Sequence, residues 1–220
     1  SAWPPARVES GRYLRPVAGL LAALVMIPQA FALNFDFTPA PGTSQTVIDG
    51  FTEAAGLWTQ QLTDPITVNI DIAFTNLAPG VLGATGSKIV LVSYGAYLAA
   101  LTNAINTADD DVSVGNLQAF PDFDMLINRT TNSPNGAGSA VPYLDDDGDA
   151  NNIPVRLTRA NAKALGLVAG DDPAPDGSIT FNSDFNFDFD RSDGIGGSSF
   201  DFVGVSAHEI GHAMGLISGV

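Results

Sequence analysis

The sequence predicts an α+β fold, on three observations. Residues 66–74 (ITVNIDIAF) and 178–189 alternate apolar and polar side chains with the period of two that strands show. Residues 46–62 repeat apolar side chains at helical spacing, and residues 198–216 carry a second helical pattern. The architecture expected from this order is a mixed, twisted sheet with a backing helix and a C-terminal helix, in one domain over residues 33–220.

Each element has its own signals. Residues 33–37 alternate as a short strand. In TVIDGFTEAAGLWTQQL, Val47, Ile48, Phe51, Ala54, Ala55, Trp58 and Leu62 form one stripe, with Thr43 or Ser44 placed to cap the helix and Asp64-Pro65 to end it. The next strand turns Ile66, Val68, Ile70, Ile72 and Phe74 to one face and Thr67, Asn69 and Asp71 to the other. Glycine-rich residues 80–87 lead into a strand at 88–93 and a short helix near 96–105. Residues 107–153, rich in Asp, Asn, Pro and Gly, are expected as a loop region inside the domain. In SITFNSDFNFDFD, Ile179, Phe181, Phe185, Phe187 and Phe189 share one face, so one strand or hairpin is expected there. A glycine turn at 193–197 follows. The last helix then spans residues 198–216, capped by Ser198 or Ser199, with Phe202, Val205, Ile210, Ala213 and Met214 toward the core.

Composition narrows the chemistry. The 220 residues include no cysteine, so disulfides, thiolate metal sites and cysteine nucleophiles are excluded, and any metal is held by nitrogen and oxygen. The formal charge of −15 argues against nucleic acid and anionic membrane surfaces as partners. Arg12 and Arg15 precede the apolar run VAGLLAALVMI, and Ala30-Phe31-Ala32 offers a signal-peptidase site. That run of eleven is shorter than the roughly 20 residues a membrane-spanning helix needs. Residues 1–32 are therefore expected to be an N-terminal extension and signal peptide. Their removal leaves six basic and 23 acidic side chains on a chain expected to be secreted, whose Asp and Asn loops could serve calcium.

The chemistry concentrates in AHEIGHAMGLISGV, residues 207–220, which holds the only two histidines and one of three glutamates. On a helix, His208 and His212 lie one turn apart on one face and can share a zinc ion, with Glu209 beside them as general base. Two glycines cost this helix stability: Gly211 is expected to allow close packing against a strand or the metal site, and Gly215 to mark the helix end. HEIGHAMG resembles the active-site helix of the zincin metallopeptidases, and the spacing of His208, Glu209, His212 and Gly215 resembles the metzincin branch. The order of strand, glycine turn, DFVGVSAHEIGHAMG and Ser-Gly-Val is similar to a group of secreted bacterial metalloproteases. The resemblance covers residues 33–220 and is specific from about residue 176 onward. It implies a zincin-like fold, zinc on His208 and His212, Glu209 polarising the attacking water, and a protein or peptide substrate. It also implies that the strand of residues 178–189 lies near the cleft, where an unpaired edge could hold extended substrate.

The third zinc ligand is where the pattern departs. Metzincin spacing puts it at Ser218, and a neutral hydroxyl is a poor zinc ligand. The bacterial group carries an Asp directly after Ser-Gly-Val, which in this chain would follow Val220. The expectation is that the ligand lies beyond Val220 and that these residues are an incomplete domain, with Asp190, Asp193 and Asp201 the upstream carboxylates that would contradict it. Tyr94, Tyr97 and Tyr143 are candidates for stabilising an oxyanion, with nothing to choose between them. Asp145, Asp147, Asp149 and Asn151 alternate around Gly148 like a calcium loop, although the glycine and the twelfth position, Arg156, depart from the EF-hand pattern. A secreted zinc endopeptidase is the leading function. The alternatives are a secreted calcium-stabilised binding or adhesion module and a metal-binding pseudoenzyme.

Overall fold

The computed structural model describes residues 32–119 and 121–217. Residues 1–31 of the expected N-terminal extension and signal peptide, and Ser218, lie outside these residues. The elements in chain order are β1 (Asn34–Pro39), α1 (Gln45–Thr59), β2 (Thr67–Thr75), β3 (Gly83–Ser87), β4 (Ile89–Ser93), α2 (Tyr94–Ala104), α3 (Ala108–Gly115), β5 (Met125–Ile127), β6 (Tyr143–Asp145), β7 (Pro154–Thr158), α4 (Arg159–Ala164), β8 (Gly177–Asn182), β9 (Phe187–Asp188), β10 (Phe200–Asp201) and α5 (Phe202–Met214). The main sheet runs β1-β2-β8-β3. Its first three strands are parallel, and β3 is antiparallel at the end. The class is therefore α+β with a twisted mixed sheet and five helices among the described residues. None of those helices is long and apolar enough to cross a membrane.

The alternating strands bury what their sequences promised. Val68, Ile70 and Ile72 of β2 join Ile179 and Phe181 of β8 under α1 and α5, which bring Phe51, Ala54, Phe202, Val203 and Ile210. Phe51 meets Phe181 and Phe202 edge-on, each at 5.4 Å between ring centres, and Phe181 and Phe202 lie 4.5 Å apart. Gly50 makes this possible, since a Cβ there would strike the ring of Phe202. Ser44 caps α1 as expected, its hydroxyl accepting from the Val47 amide.

Four expectations change. Residues 178–189 are not one strand: β8 stops at Asn182 because the Asn182 side chain accepts from the Asp184 amide, turning the chain before β9. The phenylalanine face survives the break, with Phe181 and Phe187 buried and Phe185 and Phe189 packed on the core. Nor does β8 have a free edge for substrate, because β2 and β3 pair with it on both sides. The strand at the sheet end is β3, inside the glycine-rich stretch expected only as a lead-in. The last helix starts at Phe202, not residue 198, because Asp201 caps it through the Gly204 amide at 3.0 Å, while Ser199 accepts from Asn186.

The middle of the chain holds more structure than its composition suggested. Thr107 and Asp110 form a capping box that starts α3, and β5 pairs with β6 around residues 125–145. Strand β7 pairs with β4 and leads into α4. That helix is anchored by a buried ion pair: Lys163 Nζ donates to Asp176 Oδ2 at 2.6 Å and to the Thr67 carbonyl at 2.7 Å. Asp176 Oδ2 also accepts the Asn69 amide, and Arg159 Nε stands 3.2 Å from Oδ1. The loop before β8 is thereby tied to both α4 and β2.

Candidate active site

Helix α5 carries the motif, and two contacts place it. Trp58 of α1 donates its indole N–H to the Ala207 carbonyl at 3.0 Å. The bare Cα of Gly211 lets the same ring approach, since a Cβ there would lie 3.2 Å from Trp58 Cζ2. Gly211 thus serves packing against a helix, not against a strand or the metal site as expected. Gly215 ends α5 in the left-handed region at φ 110, and Asn161 fills the space a side chain there would need.

The two imidazoles converge. His212 Nε2 and His208 Nε2 are 2.9 Å apart, and the rings stand nearly perpendicular at 83°. His212 Nδ1 lies 2.6 Å from the Leu216 carbonyl, which can only accept. A proton on His212 Nδ1 would satisfy that carbonyl and leave the Nε2 lone pair toward His208, the orientation a metal-binding imidazole needs. The residue after the helix end supplies that orienting carbonyl. Two imidazole nitrogens on one tetrahedral zinc would stand roughly 3.3 Å apart, given N–Zn distances of about 2.0–2.1 Å, so the pair needs to open by only a few tenths of an ångström. The pair supplies two nitrogen ligands of the kind zinc takes, where a zinc site has three or four from protein.

Glu209 is held by the end strand of the sheet. Thr85 Oγ1 donates to Glu209 Oε2 at 2.6 Å, while Oε1 lies over Gly83, where a Cβ would come within 3.2 Å of it. Two residues on, Ser87 donates to the His212 carbonyl at 2.9 Å. Gly83, Thr85 and Ser87 occupy one face of β3, so strand periodicity matches three positions to the turn of α5 that bears the motif. Glu209 is 7% exposed and buried between the two elements. His208 is exposed and His212 partly so. A cavity of about 550 Å³ opens beside them, lined by Val81, Leu82, Gly83, Gly204, Val205 and His208.

The sequence-predicted residues divide cleanly. His208 and His212 meet, and Glu209 lines the same cavity as His208; no group of three His, Cys, Asp or Glu side chains that could hold a metal occurs among the described residues. Asp201 is the cap of α5 and pairs with Arg191 at 3.1 Å, Asp190 accepts the Ser192 amide, and Asp193 is exposed. The Ser192 hydroxyl, and then its amide, hold the Asp190 carboxyl below its usual range. Tyr94 is buried and donates its hydroxyl to the Gln118 carbonyl at 2.5 Å, and burial raises its pKa. Tyr97 lines a groove between α2 and α3, and Tyr143 lies on β6; none of the three lines the cleft cavity. In the acidic loop, Asp145 is buried and accepts from Asn151 Nδ2 at 2.7 Å, while Asp147 and Asp149 accept the amides of Asp149 and Asn151. Those carboxylates are engaged by their own loop.

Gly83, Thr85 and Ser87 were not legible as site residues. Their only trace in the sequence is that GATGS puts both hydroxyls and one glycine on alternate positions shortly after a strong strand. Comparison with protein-family models, curated proteins and solved structures gives no match.

Proposed function

We propose that the protein is a secreted zinc-dependent endopeptidase with a zincin-like domain. The observation that carries this reading is the convergence of His208 and His212 Nε2 at 2.9 Å, with His212 Nδ1 set 2.6 Å from the Leu216 carbonyl. His208 and His212 would hold the zinc, and the remaining protein ligand would come from outside the described residues. Bound zinc would lower the pKa of water toward about 7 and polarise the scissile carbonyl.

The chain's own groups supply the rest. Glu209 takes a proton from the attacking water and returns it to the leaving amine, a transfer worth roughly 10² to 10⁴-fold. Thr85 fixes the carboxylate through Oε2, and Oε1 lies against Gly83, which also lines the cavity. Strand β3, at the end of the sheet, offers backbone groups along which an extended peptide could add as a further strand. The cavity lined by Val81, Leu82 and Val205 would receive an apolar side chain beside the scissile bond.

The test is zinc content by atomic absorption together with hydrolysis of a quenched-fluorescent peptide library. One zinc per chain with hydrolysis supports the reading. One zinc without hydrolysis identifies a metal-binding pseudoenzyme, and no zinc sinks both.

A further inference from the structure

We propose that Asn182 is a positioning residue for the cleft, holding the segment of residues 77–82 as the wall that faces α5. The proposal rests on reading the His208–Glu209 cleft as a substrate site. Asn182 ends β8 and is 1% exposed. Its amide nitrogen donates to the Val81 carbonyl at 2.9 Å and to the Ala78 carbonyl at 3.5 Å. Its Oδ1 accepts the Leu77 amide at 3.2 Å and the Asp184 amide at 3.1 Å. Its backbone N–H donates to the Leu82 carbonyl at 2.9 Å. One residue therefore binds the segment at Leu77, Ala78, Val81 and Leu82.

That segment has few other anchors. It turns through the Val81 amide on the Ala78 carbonyl and through Gly80 at φ 84, a conformation that leaves its backbone groups dependent on an outside partner. Gly80, Val81, Leu82 and Gly83 then face Gly204, Val205, His208 and Glu209 across the cavity. Moving Val81 and Leu82 would change the width of the cavity without touching either histidine or the Thr85–Glu209 bond.

Asparagine is specifically suited to this place. It presents two donors on one side and an acceptor with two lone pairs on the other, matching two carbonyls and two amides. Aspartate has nearly the same shape but no donor, and would set a charge against the Ala78 and Val81 carbonyls.

The experiment compares wild type with N182D, and with N182S in case the first does not fold. Amide hydrogen exchange resolved by segment, zinc content, and kcat and KM on a quenched-fluorescent peptide are measured. Exchange of residues 77–83 should rise by about tenfold or more while α1 and α5 keep their protection. Zinc content should be unchanged, and KM should rise by about tenfold with kcat within about threefold. Unchanged exchange at 77–83 overturns the proposal, as does an exchange increase spread evenly over the domain. A fall in kcat at constant KM would also overturn it. If the wild type hydrolyses no peptide, the peptidase reading has failed, and the exchange result alone decides whether Asn182 holds the wall.

Discussion

Thr85 donates to Glu209 Oε2 at 2.6 Å, so the single carboxylate of α5 is oriented by the neighbouring strand and not by its own helix. The proposed general base would have to meet its water at one angle, and a glutamate has three side-chain torsions to fix. The strand hydroxyl removes that freedom.

Glu209→Gln tests the base directly. The side chain keeps its shape and loses its proton acceptor, so hydrolysis should fall by roughly 10² to 10⁴-fold while zinc content stays at the wild-type value. Activity within about tenfold of wild type would remove Glu209 from the role.

Thr85→Val should act on the same step through position alone. A hydrogen bond to a charged group is worth about 1.5–3 kcal/mol, and Thr85→Ser retains it. Steady-state kinetics should show kcat reduced by at least about tenfold in the valine variant and largely restored in the serine variant. Equal activity in both variants would mean that the bond does not orient the base.

What could be read from the sequence depended on how local the signal was. The motif helix and the strands of residues 66–74 and 178–182 announce themselves through periodicity, because one face of each meets the core. The sequence of β3 carries no such pattern: GATGS has no large apolar residue, since its partners are a carboxylate, a helix backbone and the backbone of Gly177. Likewise Asn182 looks like one more polar position in an alternating run, and only the distant segment of residues 77–82 gives it meaning. Asp201 prevailed over Ser198 and Ser199 as the cap because residues 200–201 are already committed to pairing with β9.

The buried pair of α4 should dominate stability away from the cleft. Lys163 and Asp176 have no side-chain exposure, so Asp176→Asn leaves a buried ammonium with neutral acceptors and no counter-charge. The expected cost is about 3–5 kcal/mol, visible as a lowered midpoint in urea. Replacing both residues by Leu and Met should recover part of that loss, and a double variant as unstable as the single one would contradict the account.

Acid should loosen α3 before the core. The Thr107 hydroxyl, and then the Asn106 and Thr107 amides, hold the Asp110 carboxyl below its ordinary range. The bonds are complete above the unfolded carboxylate pKa and are lost as pH falls through the lowered folded value. Protection factors in Ala108–Gly115, taken against the intrinsic exchange rate at each pH, should therefore fall on acidification, and Thr107→Ala should show low protection already at neutral pH.

Gly215→Ala should destabilise the end of α5. The position has φ 110 and lies against Asn161, so the methyl group meets both backbone strain, about 1–2 kcal/mol, and a steric conflict. A thermal midpoint equal to wild type would show that the turn relaxes without loss.

The sheet also dictates an order of assembly. Strand β2 finds its inner neighbour at Ile70↔Gly177, 107 residues along the chain, and β3 attaches to the sheet only through β8. Closing so long a loop is entropically slow, so refolding is expected on the millisecond-to-second scale typical of high contact order. Early in that process β1, α1 and β2 can associate locally, but the strand that steadies Glu209 has nothing to pair with. The cleft is consequently among the last features to form, and a partly folded chain would hold the histidines without the geometry that makes them useful.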